Sequence, residues 1–183
     1  MIRKCEIDYD KNKWICEPEH YTDYRFVLGT RGERPLVVVG INPSTAMPGN
    51  LDNTMKSVER IACSNGFDSY LMINIYAQRA TDPENLDLSI NSHLHNENME
   101  MIENMLKNIN GEKAIWAAWG TNIKRRKYLK TCMEDMVLLM EKYNVSWYKA
   151  GKVSKAGHPH HPLYLKSNSV LEPFDVKDYI TNF

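Results

Sequence analysis

Apolar residues are concentrated in three short, uninterrupted runs, Leu36–Ile41 (LVVVGI), Tyr70–Ile75 (YLMINI) and Ala114–Trp119 (AIWAAW). Runs of this length, without polar alternation, suit strands buried on both faces, as in a parallel sheet. Between them the apolar spacing changes to every three or four residues. Met55, Val58, Ile61 and Ala62 share one helical face behind a cap at Asn53 or Thr54. Met99, Ile102, Met105, Leu106 and Ile109 predict a second helix, and Leu129, Cys132, Met133, Met136, Met140 and Tyr143 a long third one. Val145–Tyr148 reads as a short further strand, and Ala150–Pro162 as a Gly/Pro/His loop. Near the N-terminus, Cys5–Tyr9 and Trp14–Cys16 flank the polar turn Asp10–Lys13 as a hairpin, and Tyr24–Thr30 is a candidate strand.

Strand and helix alternate from Leu36 onward, which predicts an α/β fold with right-handed crossovers and a parallel sheet. In open sheets of this kind, ligands bind beyond the carboxyl ends of the strands. The positions to inspect are therefore Asn42–Thr45, Asn74–Arg79, Gly120–Asn122 and the loop from Gly157 onward.

A chain of 183 residues favours one domain, and a hydrophobic share of 43% is enough for a core. No apolar run approaches the ~20 residues that span a bilayer. Met1–Asp10 lacks the apolar core of a signal peptide, so a cytoplasmic protein without a membrane partner is expected. The cysteines, Cys5, Cys16, Cys63 and Cys132, form no C-x-x-C pair, which argues against a zinc or iron–sulfur site. Cys5 and Cys16 would face each other across the hairpin, but a reducing compartment disfavours a disulfide. The formal net charge is zero, which disfavours tight non-specific DNA binding. Acids dominate Glu84–Glu112 and bases dominate Thr121–Lys155. The latter run forms either a basic face or an ordinary solvated helix surface.

The strand ends carry the unusual chemistry. Gly40-Ile41-Asn42-Pro43-Ser44 combines a glycine, which allows close approach to a ligand, with an Asn-Pro turn. Asn42 either caps that turn or presents its amide to the crevice. Asn74, after three apolar residues, offers the donor and acceptor needed to read a nucleobase edge, or else orients its own loop. Trp119-Gly120 places an aromatic either under a ligand or in the core. The last loop reads Gly157-His158-Pro159-His160-His161-Pro162-Leu163-Tyr164. Its prolines restrict convergence of the histidines and no carboxylate or cysteine is near in sequence, so neither a metal site nor a cofactor is expected.

Taken together, these segments resemble the uracil-DNA glycosylase superfamily. Gly40-Ile41-Asn42-Pro43 resembles the first motif of its mismatch-specific branch. Leu71-Met72-Ile73-Asn74 is similar to the strand whose terminal Asn reads uracil. Ala117-Ala118-Trp119-Gly120 is similar to a strand ending in Trp-Gly, and His161-Pro162-Leu163 to the second active-site motif. The chain also resembles a bacterial and phage domain family of unknown function. That family is marked by Asn-Pro-Ser-Thr-Ala (Asn42–Ala46), Arg-Ala-Thr-Asp-Pro (Arg79–Pro83) and His-Pro-Leu-Tyr-Leu (His161–Leu165). The glycosylase resemblance implies a three-layer sandwich around a four-stranded parallel sheet in order 2-1-3-4, with an added N-terminal β-hairpin.

It also implies a hydrolase that cleaves an N-glycosidic bond in DNA or a nucleotide, in a repair or phage-related setting. Asn42 would hold a water and His161 would stabilise the departing base. Asn74 would read the base, with Gly40, Pro43, Ser44, Gly120 and His158 around it. Tyr76 or Trp119 would stack on the ring. Leu163 and Tyr164 would fill the gap left by a flipped nucleotide. Arg79 would contact a phosphate or brace its loop through Asp82. Two departures stand out: His161-Pro162 is followed by Leu-Tyr rather than serine, and no Asp or His directly follows Asn42. Two alternatives remain at this stage, a non-catalytic nucleic-acid or nucleotide-binding module and a hydrolase or transferase of free modified nucleosides.

Overall fold

The computed structural model describes residues 8–183. Cys5, and with it the expected pairing to Cys16 and most of the strand Cys5–Tyr9, lies outside the described residues. The strands are β1 (Trp14–Glu17), β2 (Val27–Thr30), β3 (Pro35–Gly40), β4 (Ser69–Asn74), β5 (Lys113–Ala117), β6 (Val145–Ala150) and β7 (Leu171–Pro173). The helices are α1 (Asn53–Ser64), α2 (Ser92–Lys107), α3 (Tyr128–Met140) and α4 (Val176–Asn182).

The strands form one mixed seven-stranded sheet in the order β1-β2-β4-β3-β5-β6-β7. This corrects the expectation of a four-stranded, wholly parallel sheet. Strands β1 and β2 join the β4 edge antiparallel, and β7 joins the β6 edge antiparallel. The fold nevertheless remains α/β. The physical reason for the correction is edge coverage. A four-stranded sheet would leave two open rows of backbone donors and acceptors. Short flanking strands pair with both edges instead. Lys149 sits opposite Glu172 in the β6–β7 register and its ammonium meets that carboxylate at 2.5 Å.

In the middle of the sheet, β3 runs parallel to β4 and β5, and β5 parallel to β6. Successive residues of β3 enter opposite cores, as the pleat requires. Leu36 and Val38 pack with Met55, Val58 and Ile61 of α1, together with Tyr70 and Trp116. Val37 and Val39 pack on the other face, with Ile102 and Leu106 of α2, Met133 and Met136 of α3 and Tyr179 of α4. Both faces are thus covered, which explains the uninterrupted apolar runs.

Several boundaries differ from the sequence-based expectation. Asp52, rather than Asn53 or Thr54, caps α1; its carboxylate accepts the Met55 N–H at 2.9 Å. Helix α2 starts at Ser92, capped by Asn91, a full two turns before Met99. Only Val27–Thr30 of the run Tyr24–Thr30 is strand, because Tyr24 and Arg25 instead bond to the loop after β4. Trp119 follows the end of β5 and leads into the turn Gly120–Lys124.

Candidate active site

The carboxyl ends of β3 and β4 are Gly40 and Asn74, which lie opposite each other in the parallel register. Beyond them opens a cleft of about 570 Å³. Its walls are the loop after β3, the first residues of α1, the turn after β5 and the histidine loop after β6. Asn42, Asn74 and His161 all line it. Gly40, Pro43, Ser44, Trp119, Gly120, Leu163 and Tyr164 line it too.

Asn74 has no exposed surface. Among the described residues neither Oδ1 nor Nδ2 of its carboxamide has a hydrogen-bond partner. Its backbone is fixed, because its carbonyl accepts the Asn98 amide at 2.9 Å from α2. The side chain lies across Gly40, where a Cβ would come within 2.9 Å of Asn74 Oδ1 and 2.6 Å of Met72 Cε. Glycine at position 40 is therefore a space requirement for the amide.

Asn42 is oriented by its own amide group. Nδ2 donates to the carbonyls of Pro43 at 3.0 Å and Ala80 at 2.7 Å. The Ala80 N–H returns to the Pro43 carbonyl at 2.9 Å, tying the two loops together. With both amide hydrogens committed, Oδ1 is the part of the side chain left to accept a hydrogen bond.

His161 caps the turn Pro162–Tyr164, where Nδ1 accepts the Leu163 N–H at 3.3 Å. That bond puts the proton on Nε2. Burial lowers the imidazole pKa, partly offset by the negative charge of Asp52, so the ring is neutral near pH 7 and Nε2–H is a donor. The His161 backbone and Cβ crowd Gly120, whose φ of +65° and short 3.1 Å approach both exclude a side chain. Leu163 and Tyr164 form the rim, with Tyr164 78% exposed.

Three expected site residues lie elsewhere. Tyr76 is buried below the sheet end, where its hydroxyl donates to Asp87 and accepts the Asn91 N–H, both at 3.0 Å. Arg79 neither lines the cleft nor pairs with Asp82. Its guanidinium donates to the carbonyl of Ser44 and reaches Ala46 O at 3.4 Å, over the ring of Tyr21. Asp82 instead caps its own turn by accepting the Glu84 N–H. His158 is buried against Tyr179 and Phe183, with Nδ1 2.8 Å from the Tyr179 hydroxyl. The same hydroxyl accepts the Trp119 indole N–H at 3.1 Å. The Trp119 ring is thus held in an aromatic cluster beneath the cleft rather than presented for stacking. The histidine loop therefore divides its side chains, with His160 and His161 on the cleft and His158 in the core. Among the described residues no group of His, Cys, Asp or Glu is arranged to hold a metal ion.

The two cleft residues of full charge, Asp52 and Arg25, escaped the sequence reading. Asp52 is the one carboxylate among the residues lining the cleft. Its signal was its place just before a helical apolar pattern, masked by two adjacent residues that cap equally well. Arg25 also lines the cleft and is only 2% exposed. Its signal was a charge directly preceding the apolar run Phe26–Leu28. The basic residues between Lys124 and Lys155 are absent from the walls. Arg125 meets Glu84 at 2.5 Å, and Arg126 is spent on the carbonyls of Glu84, Leu86 and Asp87.

A family model described as "Protein of unknown function (DUF1643)" matches residues 25–163. No curated protein and no solved structure matches the chain. Among the described residues no helix is long and apolar enough to cross a membrane.

Proposed function

The chain belongs to the DUF1643 family, whose function is unknown, so we propose an activity from the cleft itself: recognition of a nucleobase and hydrolysis of its N-glycosidic bond. The observation that carries this reading is Asn74. A buried amide with no partner costs about 1–3 kcal/mol per unsatisfied group, a cost that a ligand in the cleft would remove. A carboxamide presents an adjacent donor and acceptor, the pattern of a pyrimidine or purine edge. The resemblance of the four strand-end motifs to uracil-DNA glycosylases supports the same reading.

The reaction assigns each neighbouring group a task. Cleavage proceeds through an oxocarbenium-like state: the bond from the sugar's anomeric carbon to the base nitrogen breaks, and its electron pair leaves with the base. The Nε2–H of neutral His161 donates a hydrogen bond to the departing base anion. Oδ1 of Asn42 orients the water that attacks the anomeric carbon. Asn42 cannot take the water's proton, since its amide is not basic. The Asp52 carboxylate, in the same cleft, accepts it.

The test is base release, followed by chromatography, from nucleosides, nucleoside 5′-monophosphates and oligonucleotides carrying uracil, hypoxanthine, xanthine and common modified bases. Release of a base is expected from at least one substrate. Asn42→Ala is expected to lower that rate by ~10²–10³ while substrate binding is kept. Binding without turnover by the unaltered protein would instead identify a non-catalytic module. Absence of both binding and release across the panel would reject the reading.

A further inference from the structure

Arg25 is the anomaly of the cleft. A guanidinium carries five N–H donors and is almost never fully buried without a counter-charge. Here it is 2% exposed and, among the described residues, its side chain makes one hydrogen bond, from Nη1 to the Ala46 carbonyl at 2.7 Å. Its Nε is buried without a partner, and no carboxylate lies within ion-pair distance among the described residues. Its backbone is anchored where it is, because the Arg25 N–H donates to the Ala77 carbonyl at 2.9 Å, just past the end of β4.

The surroundings add positive potential. Arg79 shares the Ala46 carbonyl with Arg25 and is likewise without a carboxylate partner among the described residues. The first residues of α1, Asn53 and Thr54, line the cleft beside Arg25. Their N–H groups are the unpaired donors of a helix start, which favour an anion. Against these stands Asp52, already engaged with the Met55 N–H. Arg25 on the cleft wall, Arg79 behind it on the same Ala46 carbonyl and a helix N-terminus, against one carboxylate, leave an excess of positive charge around Arg25.

We propose that Arg25 is the anchor of an anion subsite that takes the phosphate of a mononucleotide whose base lies against Asn74. This rests on the nucleobase reading above and narrows it to a phosphorylated, monomeric substrate. A polynucleotide is disfavoured because no lysine lines the cleft, while Arg125, Arg126 and Lys149 are held by Glu84, backbone carbonyls and Glu172. Arginine suits the task, since its planar fork holds a phosphate with two parallel hydrogen bonds.

The experiment compares binding of a nucleoside, its 5′-monophosphate, inorganic phosphate and a single-stranded oligonucleotide containing the same base, by calorimetry on the full chain. The unaltered protein is expected to bind the monophosphate about tenfold or more tightly than the nucleoside, as one charge-assisted contact gives. Inorganic phosphate should compete with it. Arg25→Met, checked for a native circular dichroism spectrum, should bind nucleoside and monophosphate alike. Should Arg25→Met not fold, Arg25→Lys supplies the same comparison, with a reduced preference expected because the fork is lost. Equal binding of nucleoside and monophosphate by the unaltered protein would overturn the proposal. So would a full preference kept by Arg25→Met, or by Arg25→Lys in its place, or tighter binding of the oligonucleotide. Arg25-dependent binding of inorganic phosphate with no nucleoside or nucleotide binding would keep the anion subsite and overturn the nucleobase reading. Nucleoside binding unaffected by phosphate would do the reverse.

Discussion

Asn74 and its neighbour Gly40 give the sharpest residue-scale expectations. If the Asn74 amide is kept for a ligand, the free protein gains nothing from it. Replacing an unsatisfied buried amide with an apolar side chain of similar shape is neutral or stabilising. Asn74→Leu is therefore expected to leave the unfolding midpoint unchanged or raised, while base binding is lost. A large fall in the midpoint would show that the amide serves the fold. Gly40→Ala is expected to weaken base binding with a stability loss of about 1–3 kcal/mol, the usual range for overpacking. The reason is that the new methyl would drive Asn74 Oδ1 from its place. The histidines carry a pH expectation. Burial lowers the pKa of both His158 and His161 below the ordinary 6.5. As pH falls through 6.5 the unfolded chain takes up protons that the folded chain refuses, so stability declines toward pH 5. Urea unfolding at pH 7.5 and 5.5 measures this, and replacing His158 by Gln should reduce the difference.

At the scale of the element, Asp52 has two separable functions because it both starts α1 and faces the cleft. Asn caps a helix about as well as Asp. Asp52→Asn should therefore keep stability within a few tenths of a kcal/mol yet abolish the step that needs a proton acceptor. Asp52→Ala should lose both, with about 1 kcal/mol of stability from the missing cap. Equal turnover by Asp52→Asn and the unaltered protein would remove Asp52 from the reaction.

The same scale explains what was legible in the sequence. Strands β3, β4 and β5 stand out because both faces are buried, so their apolar runs are unbroken. Their ends, and hence Asn42, Asn74 and Gly120, follow directly. Strand β7 has three residues, of which only Leu171 is even half-buried, so no pattern marks it. Helix α4 buries only Val176 and Tyr179. The antiparallel attachment of β2 to β4 is set by tertiary pairing and has no local signal. Tyr76, Arg79 and His158 lie in the loops that follow the strand ends, yet each turns its polar atoms to a loop or an aromatic cluster. Adjacency in sequence located the cleft but not which side chains enter it. Arg25 was hidden for the opposite reason: a charge beside a strand reads as solvent-facing, and only the fold shows it buried.

At the scale of the whole molecule, charge decides between a polymer and a small substrate. The chain has no net charge. Its basic run from Lys124 to Lys155 is neutralised locally or lies off the cleft walls, where Lys124 and Lys149 border the separate hollow around His158. A protein that tracks a nucleic acid neutralises several phosphates, and each released counterion steepens the salt dependence by nearly one logarithmic unit per unit of log salt, roughly 0.7–0.9. A cleft with one buried guanidinium as its basic anchor meets one phosphate. The plot of log affinity against log salt for a nucleoside monophosphate is thus expected to have a shallow slope, of magnitude about 1 or less. Oligonucleotides of increasing length should show no steepening, because among the described residues no lysine, and no arginine besides Arg25, lines the cleft. A slope of magnitude about 4 that grows with length would require a phosphate-tracking surface. It would return the lysines of α3 and the following loop to the substrate path, and with them the polynucleotide.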